Sequence, residues 1–471
     1  MAVDTMACRP MLDSSGIGRL RDALERVGYR PAQADPGNER FAAMRDLFEL
    51  GHAVPEQTAA AALAPLPVTD ALEAGLLERC QEGVRATVLL VPYGRWWLIS
   101  DLPISRRPRP VPADFVLGAG GASDMLAQAT IRRPVGRALD VCTGGGVQSL
   151  HLSEHAESIT GTDLSPRALR YAATTAALNG LDWDLRLGDM TEPVTGQTFD
   201  LIVANPPFIL KPGGSTYLYR DSGREGDAVS SDLIRAGAGL LAEGGHLQML
   251  AGWAHHTGQP WTERVASWAK ATGCDAWAVE YGRHTPDAYV QMWTSGTDAT
   301  EHEKQDWVAW FRANQVESIG WGWITLRNAG HRDPAVRTEE LWGQQVRPNH
   351  VLDLFARQDW LRTHPDLLAA TYTAAEGAVL QTQATLQVGG QGWKTDQYRL
   401  TASAGPTRTA QVSQLIATVT ASCDGTTPLH EQLIRLAQQH NSDTTKLLAA
   451  VAPALPRLIE RGYLQPTDLH R

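Results

Sequence analysis

The tetrapeptide Asn205-Pro206-Pro207-Phe208 carries the most specific chemistry in this 471-residue chain. Two prolines fix φ and remove backbone donors, so the loop is stiff. The side-chain carbonyl of Asn205 and the backbone carbonyl of Pro206 can accept hydrogen bonds from an N–H or NH2 group. Phe208 offers a flat face on which a planar amide or base can stack. These residues are predicted to hold a planar nitrogen in one orientation, so catalysis is mostly positioning; the alternative is a rigid turn without catalytic function.

A glycine-rich turn lies upstream, after the apolar run Ala138–Cys142 and before Val147. Glycines there allow a sharp turn from strand to helix and let a ligand approach the backbone. A second apolar run ends at Asp163, where a carboxylate can accept both ribose hydroxyls of a nucleoside. A third run ends at Asp189-Met190, where an acid can contact an adenine amino group. Each feature alone also fits an ordinary turn, and the ordered set is much more specific.

The elements that must position these residues alternate between strands and helices. The strand pattern falls on short apolar runs, at residues 137–142, 158–163, 184–187, 199–204 and 246–250. Helical patterns separate most of them, which indicates a parallel sheet with crossover helices. Residues 231–241 are predicted as a helix that turns through Gly244-Gly245 into the fifth strand, and Ile319–Leu326 as a final antiparallel strand. Ser165 is placed to cap a helix whose first turn contains Pro166.

These motifs together resemble the class I S-adenosylmethionine (SAM)-dependent methyltransferases. The similarity is greatest to the branch of the release-factor glutamine methyltransferases and the ribosomal RNA guanine methyltransferases with a "small" methyltransferase domain. It covers roughly residues 118–328, under half of the chain. The resemblance implies an α/β fold: a Rossmann-like seven-stranded methyltransferase core, between an α+β N-terminal domain and an α+β C-terminal domain, both interpreted as winged-helix-like.

The resemblance also implies roles for individual residues. Four residues of the first loop would hold the methionine part of SAM: Asp140, Thr143, Gly144 and Gly146. Asp163, with Leu164 beside it, would hold the ribose, and Asp189 with Met190 the adenine. Asn205, Pro206, Pro207 and Phe208 would form the catalytic loop, with Asn205 also near the cofactor. Ser123 lies in a region that closes over the cofactor in related enzymes, although a role as a helix cap is an equal alternative.

Two points complicate this interpretation. The family's first glycine is Cys142 here: a small side chain is expected to fit, a shifted loop is the alternative, and a dinucleotide pyrophosphate is disfavoured. Tyr219 and Arg220 follow the catalytic motif and are candidate substrate contacts, with a solvated loop as the alternative. Phe rather than Tyr at position 208 favours the guanine-type enzymes, whereas the acidity of the chain favours a peptide, protein or small-molecule acceptor.

Composition narrows the classes of function. The formal net charge is −10, which argues against non-specific nucleic-acid binding. The sequence contains no run of 18 or more apolar residues, so no membrane span is predicted. Residues 1–20 lack the pattern of a secretory signal. Five dispersed cysteines form no CxxC pair, which favours a reducing, cytoplasmic setting. We expect no metal: His151–His155 matches an HxxEH pattern but lies in the helix after the glycine loop, and His255-His256 is interpreted as surface loop.

Three domains are predicted from the change of pattern along the chain. Residues 1–113 read as helices followed by a hairpin over Val84–Asp101, with Tyr93-Gly94 as its turn and a proline-rich linker after it. Residues 114–329 form the methyltransferase domain. Residues 330–471 contain a predicted hairpin around Gly389-Gly390 and two helices. The two flanking domains are expected to select the substrate or an interaction partner.

The leading hypothesis is a cytoplasmic SAM-dependent N-methyltransferase that acts on an amide or amino nitrogen of a peptide, protein or small molecule. An RNA base, at guanine N2 or adenine N6, is the alternative acceptor. A hypothesis of another class is a non-catalytic regulator that binds SAM or nucleic acid. A nicotinamide oxidoreductase shares a glycine loop and an acid but does not explain Asn205–Phe208. The number of methyl groups transferred and the oligomeric state stay open.

Overall fold

The computed structural model divides the chain into two compact units, Met1–Trp342 and Gly343–Arg471. Elements of the first 113 residues therefore lie in the same unit as the main sheet, and the division into three domains stays a prediction. The structure describes residues 8–30, 37–106, 111–214, 217–218, 220–295, 297, 299–330, 333–387, 389, 392–402 and 405–469.

In the described residues, the N-terminal part of the first unit contains four α-helices, a short π-helical turn and two antiparallel strand pairs. The helices are α1 (Ser14–Arg26), α2 (Glu39–Arg45), α3 (Glu56–Leu63) and α4 (Val68–Glu73), and Asp46–Leu50 forms the π-helical turn. The strands are β1 (Leu77–Cys80), β2 (Gly83–Ala86), β3 (Val88–Tyr93) and β4 (Trp96–Asp101).

The predicted hairpin over residues 84–101 is wrong at its start. Strand β2 pairs with β1, and only β3 and β4 pair as the hairpin, in which Tyr93 lies opposite Trp96. Gly94 takes a positive φ of 56° at the turn, a conformation that glycine adopts readily. The alternation of apolar residues continues across Thr87, which separates β2 from β3. The sequence pattern therefore could not show that the pairing of β1 with β2 ends there and the pairing of β3 with β4 begins.

An eight-stranded sheet forms the centre of the first unit, in the order β12-β10-β11-β9-β8-β5-β6-β7. Its strands are β5 (Val135–Val141), β6 (Ala156–Asp163), β7 (Asp184–Leu187), β8 (Phe199–Ala204), β9 (Leu241–His256), β10 (Asp275–His284), β11 (Val316–Arg327) and β12 (Val336–Glu340). The flanking helices are α5 (Gly121–Ala129), α6 (Val147–Leu152), α7 (Pro166–Leu178), α8 (Ala228–Ala238), α9 (Trp261–Lys270), α10 (Pro286–Thr294) and α11 (Glu301–Ala313).

This sheet confirms the predicted α/β class. Strands β5 to β9 run parallel, and β11 is antiparallel to both of its neighbours, as predicted for the final strand. The seven strands from β5 to β11 form the Rossmann-like core, and β12 adds an eighth strand at one edge. Parallel strands covered on both faces are apolar along their length, and residues 201–204 of β8 are all buried.

Two details of the sheet differ from the prediction. Helix α8 ends at Ala238, and Gly244-Gly245 lies inside β9, where the register with β8 shifts. His255, interpreted as surface loop, is buried in β9 and forms a 2.6 Å hydrogen bond with the buried carboxylate of Glu280 in β10. The sequence pattern did not predict the contact between His255 and Glu280, because a charged residue such as Glu280 is buried in a strand only when partners on other strands neutralise it.

The second unit is a smaller α+β assembly. Its helices are α12 (Pro348–Thr363), α13 (Gln414–Ser422), α14 (Leu429–Gln439), α15 (Thr444–Val451) and α16 (Leu455–Glu460). Its strands are β13 (Tyr372–Ala374), β14 (Val379–Leu386), β15 (Trp393–Ala402), β16 (Arg408–Val412) and β17 (Leu464–Pro466). The predicted hairpin corresponds to β14 and β15; Gly389 lies between them, and Gly390 is outside the described residues.

No helix in the described ranges is long and apolar enough to cross a membrane. Within the same part of the chain, no group of three or more His, Cys, Asp or Glu side chains is arranged to hold a metal ion.

Candidate active site

A cleft opens at the carboxyl ends of β5, β6 and β8, where the strand order reverses direction. Ligands of open α/β sheets bind at this kind of switch point. Many predicted site residues line the cleft: Ser123, Thr143, Gly144, Asp163, Leu164, Asp189, Met190, Asn205 and Pro207. Five predicted residues lie outside its lining: Asp140, Gly146, Pro206, Phe208 and Arg220. Tyr219 lies outside the described residues.

Asp140 organises the loop from beneath. Its Oδ2 atom accepts hydrogen bonds from the hydroxyls of Thr143 and Ser149, each at 2.7 Å, and from the backbone N–H of Ser149 at 3.0 Å. Its Oδ1 atom is buried and has no hydrogen-bond partner among the described residues. Burial raises the pKa of Asp140 to about 6, although these hydrogen bonds act in the opposite direction. The carboxylate therefore keeps one buried acceptor beneath the loop, outside the lining of the cleft.

The glycines of the loop have different physical roles. Gly144 has a φ of 57°, and a Cβ there would meet no atom within 4 Å. Gly146 has a φ of 91°, and its Cβ would lie 2.5 Å from the ring of Trp183. Cys142, which replaces the family's first glycine, takes a φ of 60° that non-glycine residues rarely adopt. The loop thus keeps a glycine-like conformation at Cys142.

Asp163 ends β6 with both carboxylate oxygens in contact with the backbone. The N–H of Gly144 donates to Oδ2 and that of Ser165 to Oδ1, each at 2.9 Å. Ser165 also caps α7, with Pro166 in its first turn, as predicted. Burial raises the pKa of Asp163, and these backbone donors oppose the shift. Asp163 lines the cleft, and a carboxylate there can accept hydrogen bonds from hydroxyl groups, which is the chemistry predicted for a ribose diol.

Asp189 and Met190 lie beyond β7 on the other side of the loop. Met190 has a φ of 47°, its carbonyl accepts from the Thr162 hydroxyl at 2.6 Å, and its sulfur lies 3.4 Å from the Cys142 sulfur. Asp189 forms an ion pair with Arg224 at 2.9 Å, and both side chains are about a third exposed. The sequence analysis did not single out Arg224, because no local pattern places a loop arginine beside a residue 35 positions away.

Asn205 ends β8 in a defined orientation. Its amide nitrogen donates to the hydroxyl of Ser123 at 3.2 Å, and Ser123 is buried in the first turn of α5. The backbone carbonyl of Ser123 in turn accepts from the side chain of Gln148 at 2.9 Å. Ser123 is not the helix cap, because Gly120 occupies that position. The contact commits the amide nitrogen of Asn205 to the protein and leaves its Oδ1 to accept from a ligand.

Phe208 directly follows Pro207, which lines the cleft, but does not line the cleft itself. It is half-buried against β9, where a Cβ on Gly252 would come within 2.9 Å of the Phe208 carbonyl. Its backbone bridges to Asp221 in the loop that follows. Pro206 and Pro207 are buried. The stacking role predicted for Phe208 stays a prediction.

The loop after the motif is held by internal charges. Asp221 is buried and pairs with Lys211 at 2.9 Å and with Arg220 at 3.2 Å. Arg220 also donates to the carbonyl of Trp293, and its guanidinium lies 4.8 Å from the ring centre of Tyr217. Arg220 is thus a buried part of the loop scaffold, and its predicted substrate contact stays a prediction.

The first comparison with known proteins concerns the segment that carries this site. Residues 119–261 match a family described as the methyltransferase small domain. This range includes strands β5 to β9, the glycine loop, both acidic strand ends and the Asn205 loop. The segment that carries the candidate site is therefore similar to the methyltransferase small domain.

Relatives of the small domain are found among proteins with two different acceptors. The chain is 33% identical over 164 residues to the "Ribosomal RNA small subunit methyltransferase C" of Salmonella arizonae, covering 34% of this chain and 44% of that protein. It is 37% identical over 123 residues to the "Release factor glutamine methyltransferase" of Deinococcus radiodurans, covering 24% of this chain and 44% of that protein. The chain therefore spans less than half the length of these relatives.

Solved structures give only a distant similarity. The 16S rRNA N2 G1207 methyltransferase of T. thermophilus, in complex with AdoMet and guanosine, aligns at 16% identity and a TM-score of 0.26, covering 42% of this chain and 44% of that one. A methyltransferase from Pyrococcus furiosus aligns at 14% identity and a TM-score of 0.27, covering 44% and 80% of the two chains. The regions outside the small domain match two domains of unknown function, over residues 18–87 and 352–466.

Proposed function

We propose that the protein is a SAM-dependent N-methyltransferase that transfers a methyl group to a planar amide or amino nitrogen. The observation that carries the proposal is the orientation of Asn205. Its amide nitrogen is engaged by Ser123, so Oδ1 is directed to a ligand at the end of the same cleft that contains the glycine loop. A carbonyl acceptor of this kind suits a target that presents an N–H group.

The chemistry of the cleft fits the cofactor. The buried Oδ1 of Asp140 is an acceptor without a partner, suited to an ammonium group. The open space at Gly144 admits a ligand against the backbone, and Asp163 offers acceptors for two hydroxyls. When bound, SAM supplies an electrophilic methyl group and leaves as S-adenosylhomocysteine. We assign Asp140, Thr143, Gly144 and Gly146 to its methionine end, Asp163 and Leu164 to its ribose, and Asp189 and Met190 to its adenine.

The protein's own contribution to the reaction is positioning. Asn205 Oδ1 and the Pro206 carbonyl accept hydrogen bonds from the target N–H groups, which turns the nitrogen lone pair toward the cofactor side of the cleft. The buried Pro206 and Pro207 keep this geometry rigid. The nitrogen forms the new N–C bond as the sulfur–methyl bond breaks, and it releases one proton to water, so the methylated product is neutral.

We propose a peptide, protein or small molecule as the acceptor, in a cytoplasmic setting. The cations of the loop that follows Phe208 support this class, because they are already neutralised. Lys211 and Arg220 pair with Asp221, and Arg224 pairs with Asp189. Nucleic-acid binding draws on cations that can neutralise phosphates. Residues 1–113 and 330–471 are proposed to select the acceptor. An RNA base is the second candidate, supported by the likeness to the Salmonella relative.

The test uses purified full-length protein, methyl-labelled SAM and a cell extract, with Asn205→Ala as the matched variant. We expect label that the variant reduces by about 100-fold or more, the loss typical of removing one polar contact to the reacting group. Protease-sensitive or small-molecule label would support the leading acceptor class, and RNase-sensitive label would replace it with RNA. Binding of S-adenosylhomocysteine without any Asn205-dependent product would support the regulator hypothesis instead.

A further inference from the structure

The second strand of the N-terminal hairpin lies directly against the glycine loop. Strand β4 is buried at every position. A Cβ on Gly145 would lie 2.5 Å from the carbonyl oxygen of Ile99, so the two backbones are already in van der Waals contact. The hairpin is also tied to α7: the N–H of Trp97 donates to the Asn179 side chain at 3.0 Å, and Asn179 donates back to the Trp97 carbonyl at 2.8 Å. One wall of the cleft therefore rests on the N-terminal region.

Asp101, at the end of β4, connects this wall to the segment that follows it. The N–H of Val116 donates to Asp101 Oδ2 at 2.8 Å, and the N–H of Asp101 donates to the Val116 carbonyl at 3.0 Å. Residues 115–118 line the cleft opposite Asp163 and Ser165. A Cβ on Gly118 would lie 2.8 Å from the Ser100 hydroxyl, so this segment also packs closely on β4.

The same carboxylate also contacts α7. Arg167 pairs with both oxygens of Asp101, and the hydroxyl of Tyr171 donates to Oδ1 at 3.2 Å. Asp101 is 2% exposed. Helix α7 begins directly after Asp163, the predicted ribose ligand. One buried carboxylate thus joins three parts of the cleft wall: β4, residues 115–118 and the first turns of α7.

We infer that Asp101 is a positioning residue of the cofactor site, and that the N-terminal hairpin is a structural wall of that site. The inference rests on the proposed binding of SAM in the cleft. Asp101 holds residues 115–118 over the cleft by accepting the Val116 N–H, while Arg167 and Tyr171 fix the direction of the carboxylate. The N-terminal region then contributes to cofactor affinity as well as to any selection of the acceptor.

The variant Asp101→Asn tests this inference with little change in size. The Val116 N–H, Arg167 and the Tyr171 hydroxyl all donate hydrogen bonds to the carboxylate of Asp101. An amide NH2 in place of one carboxylate oxygen would therefore face a donor, and an interaction would be lost. Asp275→Asn is a matched control. Asp275 is also fully buried, pairs with Arg327 at 2.6 Å and accepts the N–H of Ala335 at 2.8 Å. It begins β10, which β11 and β9 separate from the cleft strand β8 in the sheet.

The measurement is S-adenosylhomocysteine binding by calorimetry, with thermal unfolding and hydrogen exchange of each protein. We expect Asp101→Asn to weaken binding about tenfold and to speed amide exchange in residues 115–118. We expect Asp275→Asn to lower the unfolding temperature to a similar extent and to bind within about twofold of wild type. A saturating kcat close to wild type in Asp101→Asn would agree with a positioning role, because Asn205 is untouched.

Equal affinities of Asp101→Asn and wild type would overturn the inference, and so would equal losses in the two variants. If Asp101→Asn fails to fold, Tyr171→Phe removes one of the two donors to Oδ1 and leaves Arg167 in place, and we expect about a threefold weaker binding with the same local change in exchange. Unaltered binding and exchange in Tyr171→Phe would then overturn it. Absence of binding by the wild type would count against the proposed function itself, which separates the two failures.

Discussion

The cofactor half and the acceptor half of the cleft are built in different ways. In the cofactor half, the contacts that shape the loop are close in sequence: Thr143 and Ser149 bond to Asp140 from three and nine residues away. In the acceptor half they are distant: Asn205 bonds to Ser123 from 82 residues away. The hydrogen bonds beneath the glycine loop are therefore encoded in one short stretch, although β4 packs against the loop from outside it, whereas the orientation of Asn205 depends on a residue far along the chain.

This difference predicts two separable phenotypes. Changes in the cofactor half should alter the affinity for SAM or the stability of the loop. Changes in the acceptor half should alter turnover while affinity for the cofactor is kept. The Arg224–Asp189 pair crosses between the halves, so it is the place where the separation is expected to be weakest.

The largest effect is expected from Gly146→Ala in the cofactor half. Its Cβ would collide with the Trp183 ring at a φ of 91°, so we expect a loss of about 3 kcal/mol of unfolding free energy. Gly144→Ala, at a φ of 57° with no atom within 4 Å, should cost only about 1 kcal/mol. Urea denaturation of both variants measures the difference. Equal losses would mean that the collision with Trp183 does not matter.

The next effect comes from a pair of serines, one in each half. Ser123→Ala frees the amide of Asn205, and we expect kcat to fall about fivefold, from a net hydrogen-bond contribution of about 1 kcal/mol. Ser149→Ala removes one donor to Asp140 and should raise the dissociation constant of S-adenosylhomocysteine by a similar factor. Steady-state kinetics and calorimetry on both variants test the pair. The same kinetic change in both would break the comparison between the halves.

A pH effect of about fourfold is expected in the cofactor half. Asp140 has a pKa raised to about 6 by burial, so its ionised form, which would accept an ammonium, is depleted as the pH falls through 6. Binding of S-adenosylhomocysteine should therefore weaken about fourfold from pH 7.5 to 5.5. The folded protein also favours the protonated acid, so this group lowers stability as pH rises from about 4 to 6.

Calorimetric titration at several pH values measures this dependence. The variant Asp140→Asn carries no titrating group at this position, and its affinity should be lower and nearly constant over the same range. A slope that persists unchanged in Asp140→Asn would assign the titration to another group, and Asp163, whose pKa is also raised, would be tested next.

The smallest effect is expected for Arg224→Gln. The pair with Asp189 is about a third exposed, and exposed ion pairs contribute about 0–1 kcal/mol. We expect a change in S-adenosylhomocysteine affinity of threefold or less, together with a weaker dependence of binding on salt. Asp232→Asn, which removes the other acidic neighbour of Arg224 at 3.7 Å, is the control. A loss above tenfold would show that Arg224 does more than join the two halves.

Much of the central sheet could be predicted from local pattern. Strands β7 and β8 have the predicted bounds. For β8 the reason is that a buried parallel strand is an apolar run between turns. Strand β10 was not predicted. Its sequence contains Glu280, which is buried and bonded to Trp253 and His255, so its charge is tolerated only through partners on another strand.

In the candidate site, too, some residues could be predicted from local pattern and others depend on tertiary contacts. The glycine loop, the two acidic strand ends and the Asn205 motif could be located because each lies where a strand pattern stops. Ser123 was singled out as a helix cap or cofactor contact, but its bond to Asn205 depends on how α5 packs beside β8. Asp101 and Arg224 were not singled out, because each acts on residues far along the chain.

By itself, the sequence determined the parallel sheet, the turn chemistry at the ends of its strands and the class of ligand that these turns can hold. These properties follow from short-range rules: hydrophobic period, glycine φ and the placement of acids after strands. The tertiary structure decided which atom of the Asn205 side-chain amide is bonded to the protein and which cations of the loop after Phe208 are neutralised. It also decided that the N-terminal hairpin forms part of the cleft. These depend on contacts between residues that only folding brings together, and no local pattern encodes them.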